Sequence, residues 1–322
     1  MSIIWVQTVS ATVPISPPLL SESAIYTEEQ LQEIVSPSVV RIIQHIEGSA
    51  QIPSFVIDIE SRSVSVDKTK EPIFFEDIDE NIIGTGFIIS PDGHILTNAH
   101  FVSDFTSKLA IITPYVKEAV QEAESATGKS IEDDIEFSLN ILDFIMENST
   151  FEFTKEIIVV DPKNKINEKD VDEDIALNMS EVGELAEVLY VNDSFYKGDD
   201  NLAVIQIEGK NFPSIFITDK NISLANDNFF AFNTPNINNF ENVNDLQNGG
   251  IYDFELKKSS ILRDKIDVNI LHTSLSLDRQ ASGGPSFNTK GEIIGILAFE
   301  GEGSDSTDSQ VQMLIIPNDD IR

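Results

Sequence analysis

One stretch limits what this chain can fold into more than any other. Gly84-Thr85-Gly86-Phe87-Ile88-Ile89 reads as a strand, and Ser90-Pro91-Asp92-Gly93 as a tight turn. His94-Ile95-Leu96-Thr97-Asn98-Ala99-His100 reads as a second strand that ends on a titratable ring. Far downstream, Arg279-Gln280-Ala281-Ser282-Gly283-Gly284-Pro285 is a glycine-rich turn, followed by the strand-like run from Glu292 to Phe299. A hydroxyl is a weak nucleophile unless a base takes its proton and backbone N–H groups stabilise the oxyanion. Small residues after the serine allow close approach to a carbonyl. Ser282 is therefore the candidate nucleophile and His100 the candidate base.

Composition bounds the rest. The 322 residues suffice for a full two-barrel domain with insertions, or for two smaller domains. There is no cysteine, so disulfides play no part and the redox compartment cannot be read from them. No apolar run is long enough to cross a bilayer. The net charge of −34 disfavours nucleic acid and anionic membranes as partners. Ile3 to Ala11 resembles the tail of a signal peptide, with Val9-Ser10-Ala11 suited to cleavage. Residues 1–27 thus read as a linker or signal-peptide remnant, and an exported location is expected, in the cell envelope or outside the cell.

Taken in order, Thr27 with Gln30 forms a capping-box pattern opening a short helix. Residues 48–80 read as an insertion in which Ser54–Ile59 and Ile73–Phe75 could pair as a hairpin, with Glu76–Asp79 as an acidic turn. Tyr115–Gln121 and Ile131–Met146 have helical periodicity, with Ile131, Ile135, Leu139, Leu142 and Ile145 near one face. Thr127-Gly128-Lys129-Ser130 resembles the end of a phosphate-binding loop but lacks its first glycine and its strand. Asp170 to Glu181 has acids at the first, third, fifth and twelfth places of a calcium loop, yet Ile175 stands where the sharp turn wants glycine. A solvated acidic loop is the simpler reading, and no metal or cofactor is expected. Of the remaining histidines, His45 and His94 read as surface strand or turn residues, and His272 receives no role.

The histidine stretch and the Ser282-Gly283-Gly284-Pro285 turn together resemble the two motifs of trypsin-like serine proteases, most closely the HtrA/Deg branch. Ser36-Pro37-Ser38-Val39-Val40 resembles that branch's first strand. The likeness covers about 38–47, 82–104 and 186–320. It implies an all-β, trypsin-like double six-stranded β-barrel, here a peptidase domain over 28–322 with insertions at 48–80 and 106–184. The second insertion, helical and acidic, falls between the histidine and the acid strand. The family often carries a PDZ domain next; none is expected within these residues. The implied activity is serine endopeptidase action on unfolded or exported proteins, with polypeptide as substrate, no cofactor, and self-association compatible with the reading. His100 would be the base, Ser282 the nucleophile, and the N–H groups of Gln280 and Ser282 the oxyanion hole.

Two positions depart from the family pattern. Gln280 stands where glycine is usual, and a side chain there resists the backbone conformation that aims its N–H inward. Asn201 stands where the acid is usual, with Asp200 beside it, while Asp174-Ile175-Ala176-Leu177 matches the acid motif elsewhere. Asp200 ranks first as the acid, Asn201 second and Asp174 third. These departures keep an alternative open: a catalytically impaired protease fold that binds peptides or a partner protein.

Overall fold

The computed structural model describes residues 25–131, 134–160, 183–192, 201–215, 228–234, 254–267, 270–299 and 312–317. It opens on helix α1 (Glu28–Val35), whose cap is the expected one: Gln30 N–H donates to Thr27 Oγ1 at 3.3 Å and Thr27 N–H to Gln30 Oε1 at 2.9 Å. Leu31 and Val35 on its apolar side are buried against the core.

The first closed barrel runs β1 (Val39–Ile52), β4 (Ile73–Ile88), β5 (His94–Thr97), β8 (Ala203–Ile207), β7 (Glu184–Val191), β6 (Thr150–Val160) and back to β1. Its wall is rich in β-branched residues, which suit a pleated surface. Val40, Ile42, Ile88, Ile95, Val159, Ala203, Ile205 and Ile207 fill its interior. The second barrel closes in the order β10 (Glu255–Asp267), β11 (Ile270–Ser276), β14 (Gln312–Pro317), β13 (Ile293–Phe299), β12 (Pro285–Asn288), β9 (Asn228–Asn233). The expected double barrel of six strands each is the observed architecture. One buried cluster holds Val39, Phe87 and Leu96 of the first barrel with Phe230, Phe232, Phe287 and Ile296 of the second. The two barrels therefore share apolar packing.

Both stretches read as insertions are partly barrel wall. β1 and β4 pair from Val39↔Phe87 through Ile52↔Ile73, so Ile73–Phe75 belongs to this ladder and Glu76–Asp79 is strand, not turn. The hairpin lies between them instead, as β2 (Phe55–Asp58) paired with β3 (Ser63–Val66). A strand partner overrides the turn preference of an acidic run because it pairs most of its backbone groups, although the ladder shifts register at Glu76 and Asp77, where Asp77 takes φ 55°. Likewise the stretch 106–184 contains β6, which pairs with β1 from Arg41↔Val160 to Gln51↔Thr150 and closes the barrel.

What remains of that stretch is helical: α2 (Asp104–Thr127) and α3 (Ile135–Asn148). Ser103 caps α2, accepting from Thr106 N–H at 3.1 Å. Phe137, Ile141 and Ile145 bury the i, i+4, i+8 face of α3, whereas Leu139 is 38 % exposed, so the buried stripe is rotated from the one the periodicity suggested. These helices pack on Ile52, Phe55 and Ile59 to form a second core beside the barrel. Gly128 ends α2 in the left-handed conformation, its N–H on Glu124 O at 2.7 Å. The Thr127–Ser130 motif thus sits at a helix C-terminus, the end that repels phosphate.

Candidate active site

β5 carries the histidine to the site. The Pro91–Gly93 turn is closed by Gly93 N–H on Ser90 O at 3.1 Å, with Gly93 at φ 86°. His94 Nδ1 lies 2.8 Å from Ser90 Oγ, and the residue opens β5. After Thr97 the chain bends into a single 3-10 turn, Ala99–Phe101, which turns the His100 ring off the strand. The Phe101 ring lies 4.0 Å from it, centroid to centroid. His45, in β1, is buried rather than a surface residue, within 3.0 Å of Asn81 and 3.1 Å of Glu47.

Among the described residues the group beside the His100 ring is Asn201. β8 pairs with β5 in the register Thr97↔Ala203, and that register brings Asn201 alongside the ring. Asn201 Oδ1 accepts from the His100 backbone N–H at 3.1 Å, and Asn201 Nδ2 lies 2.7 Å from His100 Nδ1. The first contact fixes the second. Turning the amide over would set its NH2 against a backbone N–H, so Nδ2 donates to Nδ1 and the imidazole proton stays on Nε2. Asp200 and Asp174 lie outside the described residues, as does the acidic loop 170–181. Desolvation lowers the His100 pKa from 6.5 to about 4. The Asn201 contact opposes this only if Oδ1 faces the ring, an arrangement the backbone N–H disfavours.

The nucleophile turn is tied to both barrels. Asn233 of β9 holds Asp278 twice, at 3.0 and 2.9 Å, where the turn begins. A 3-10 turn follows over Arg279–Ala281, and Ser282 N–H donates to Arg279 O at 3.1 Å. Gly283, at φ 85°, donates to Leu297 O at 2.8 Å. A Cβ at Gly283 would stand 2.1 Å from Thr85 O, so only glycine fits. From the first barrel, Thr85 N–H donates to Ser282 O at 3.0 Å and Thr85 Oγ1 to Gln280 O at 2.5 Å. Arg41, fully buried, reaches Gln280 Oε1 at 3.4 Å.

Ser282 is fully buried, and its Oγ accepts from Asn98 Nδ2 at 2.8 Å. Asn98 stands two residues before His100, at most about 7.6 Å along the chain, so this hydrogen bond ties the nucleophile turn to the histidine segment. Of the expected oxyanion donors, Ser282 N–H is engaged by Arg279 O, and Gln280 is held at its carbonyl and its side chain. The sequence reading missed Asn98. The one available signal was its place in the run from Thr97 to His100, which no residue-type argument singles out. Among the described residues no group of three or more His, Asp or Glu side chains could hold a metal ion.

A family model described as a trypsin-like peptidase domain matches residues 84–296. Among solved structures the chain is similar to the serine endoprotease from Yersinia pestis, at 17% identity over 92% of this chain and 64% of that one, with a TM-score of 0.45. It is also similar to the HtrA-type protease AlgW with decapeptide, at 14% identity over 91% of this chain and 64% of that one, with a TM-score of 0.44. The chain spans 64% of the length of each of these structures. No curated protein matched the sequence.

Proposed function

Because this chain belongs to the trypsin-like peptidase domain family, we infer that it is a serine endopeptidase whose nucleophile is Ser282 and whose base is His100. The observation that supports this most is the link between the two motifs: Asn98, on the histidine segment, reaches Ser282 Oγ at 2.8 Å. Substrates would be unfolded or exported polypeptides outside the cytoplasm, in keeping with the HtrA-like strands noted in the sequence.

In the acylation step His100 Nε2 takes the Ser282 proton as Oγ attacks the scissile carbonyl, and the imidazolium then protonates the leaving amine. Two features hold the site at rest. The His100 proton sits on Nε2, the nitrogen that must accept, because Asn201 Nδ2 donates to Nδ1, so the amide must turn and the proton pass to Nδ1 before Nε2 can take the serine proton. Ser282 N–H is spent on Arg279 O, so the peptide linking Arg279 to Gln280 must turn before that N–H can meet an oxyanion. An amide in place of the acid costs on the order of 10⁴ in turnover in a serine triad. Slow hydrolysis is therefore expected.

The Asn201 contact also favours a second reading, a protease fold that binds peptides without cleaving them. A fluorophosphonate probe decides between them. Labelling at Ser282, enhanced by Asn201→Asp, supports the peptidase. A folded Asn201→Asp variant that binds peptide yet neither labels nor cleaves would leave only the binder.

A further inference from the structure

We propose that Asn98 is a catalytic residue of this site, a hydrogen-bond donor that holds the Ser282 oxygen and stabilises the charge it acquires as its proton leaves. This rests on Ser282 being the nucleophile.

The geometry of the Asn98 amide admits one orientation. Nδ2 has two acceptors, Leu297 O at 2.8 Å and Ser282 Oγ at 2.8 Å. Reversed, the amide would set its oxygen against the Leu297 carbonyl, two acceptors face to face. Nδ2 therefore donates to Oγ. The serine oxygen accepts, so its own proton is left for another acceptor.

As that proton moves to His100, charge gathers on Oγ, and an N–H already aimed at it strengthens without reorganisation. Asn98 and Ser282 are both fully buried, so water does not screen the contact. This help falls where the site is weakest. The neutral Asn201 amide supplies no negative charge to stabilise an imidazolium, so stabilising the alkoxide side of the transfer carries more of the burden.

The amide is kept in place against its own solvation. Asn98 Oδ1 is buried, and among the described residues it has no hydrogen-bond partner. Leaving a buried acceptor without a donor is destabilising. Leu297 O does not need Asn98, because Gly283 N–H also reaches it at 2.8 Å. A residue retained only for packing or for capping Leu297 O would not leave its own oxygen stranded. Removing the side chain loses two donations and relieves one orphan, so stability and chemistry should separate.

The test measures the second-order rate of fluorophosphonate labelling at Ser282, with kcat and KM on a peptide substrate, for wild type, Asn98→Ala and Asn98→Ser, each also combined with Asn201→Asp. Asn98→Ser keeps a hydroxyl for Leu297 O but is too short for Oγ, so it serves if the alanine variant does not fold. The expected result is a loss of about a hundredfold or more in labelling and in kcat, with KM little changed and the melting temperature level or higher. Labelling that is equal or faster in a folded Asn98 variant overturns the role of Asn98 and leaves the peptidase reading standing. A loss of rate that merely follows a loss of melting temperature overturns it as well. No labelling of wild type or of Asn201→Asp sinks the peptidase reading, and the role of Asn98 with it.

Discussion

At the scale of single residues the chemistry turns on one amide. Asn201→Asp should raise kcat by two to four powers of ten, since a carboxylate accepts from Nδ1–H and stabilises the cation; steady-state kinetics on a peptide substrate would show it, and an unchanged rate would contradict the tautomer argument. The same change should move the acid limb of kcat/KM. In the wild type the His100 pKa is about 4, so the base stays neutral down to that pH; next to a carboxylate the limb should shift upward. Stability follows the same group. Its folded pKa lies below the unfolded 6.5, so the unfolded chain binds the extra proton between pH 6.5 and about 4. The contribution is complete above pH 6.5 and is lost as pH falls through that window, by up to about 1.4 kcal/mol per pH unit. Melting curves of wild type and His100→Gln should therefore differ in slope across it. Ser282→Ala should abolish labelling with little change in melting temperature, because Asn98 Nδ2 keeps Leu297 O. His100 and Ser282 were legible as letters in the sequence. The group behind His100 was not, because the choice among Asp200, Asn201 and Asp174 depends on the pairing Thr97↔Ala203, a contact across about a hundred residues of chain.

At the scale of elements the nucleophile turn has no slack. Gly283→Ala would drive a methyl to 2.1 Å from Thr85 O at a φ that disfavours any side chain. We expect a loss near the top of the usual range, about 4–5 kcal/mol, readable by denaturant unfolding. The helical pair is a different case. It packs on the ends of β1 and on β2, but β6 follows it directly and is barrel wall. Replacing residues 104–149 with a short linker should leave a cooperative barrel, while replacing 106–184 should not, since it removes the partner of β1 from Arg41 to Gln51. Circular dichroism melts of the two deletions would separate these outcomes. The helices were visible in the sequence by their period. β6 was hidden because Thr150 to Val160 sits between helical and acidic stretches, although the spacing of Phe151, Phe153, Ile157 and Val159 does carry a strand's alternation.

At the scale of the whole molecule the charge of −34 works against compactness. Screening extends over about 10 Å at 0.1 M salt and shrinks as salt rises. Raising sodium chloride from dilute buffer to half-molar levels should therefore raise the melting temperature; a flat or falling curve would show that the acids are locally paired. Fold class was legible because the histidine stretch and the glycine turn resemble two motifs of one family whose fold is a double barrel. What those motifs could not convey is that Thr85, a first-barrel residue, grips the second barrel's turn through its N–H, its hydroxyl and its close-packed carbonyl. That grip has a consequence in time. Neither barrel folded by itself presents Ser282 in its final setting. A refolding experiment that follows backbone structure and probe labelling together should see the strands form first and the reactive serine emerge last, when the halves dock. A newly made copy would thus hold its candidate site incomplete until both halves are built.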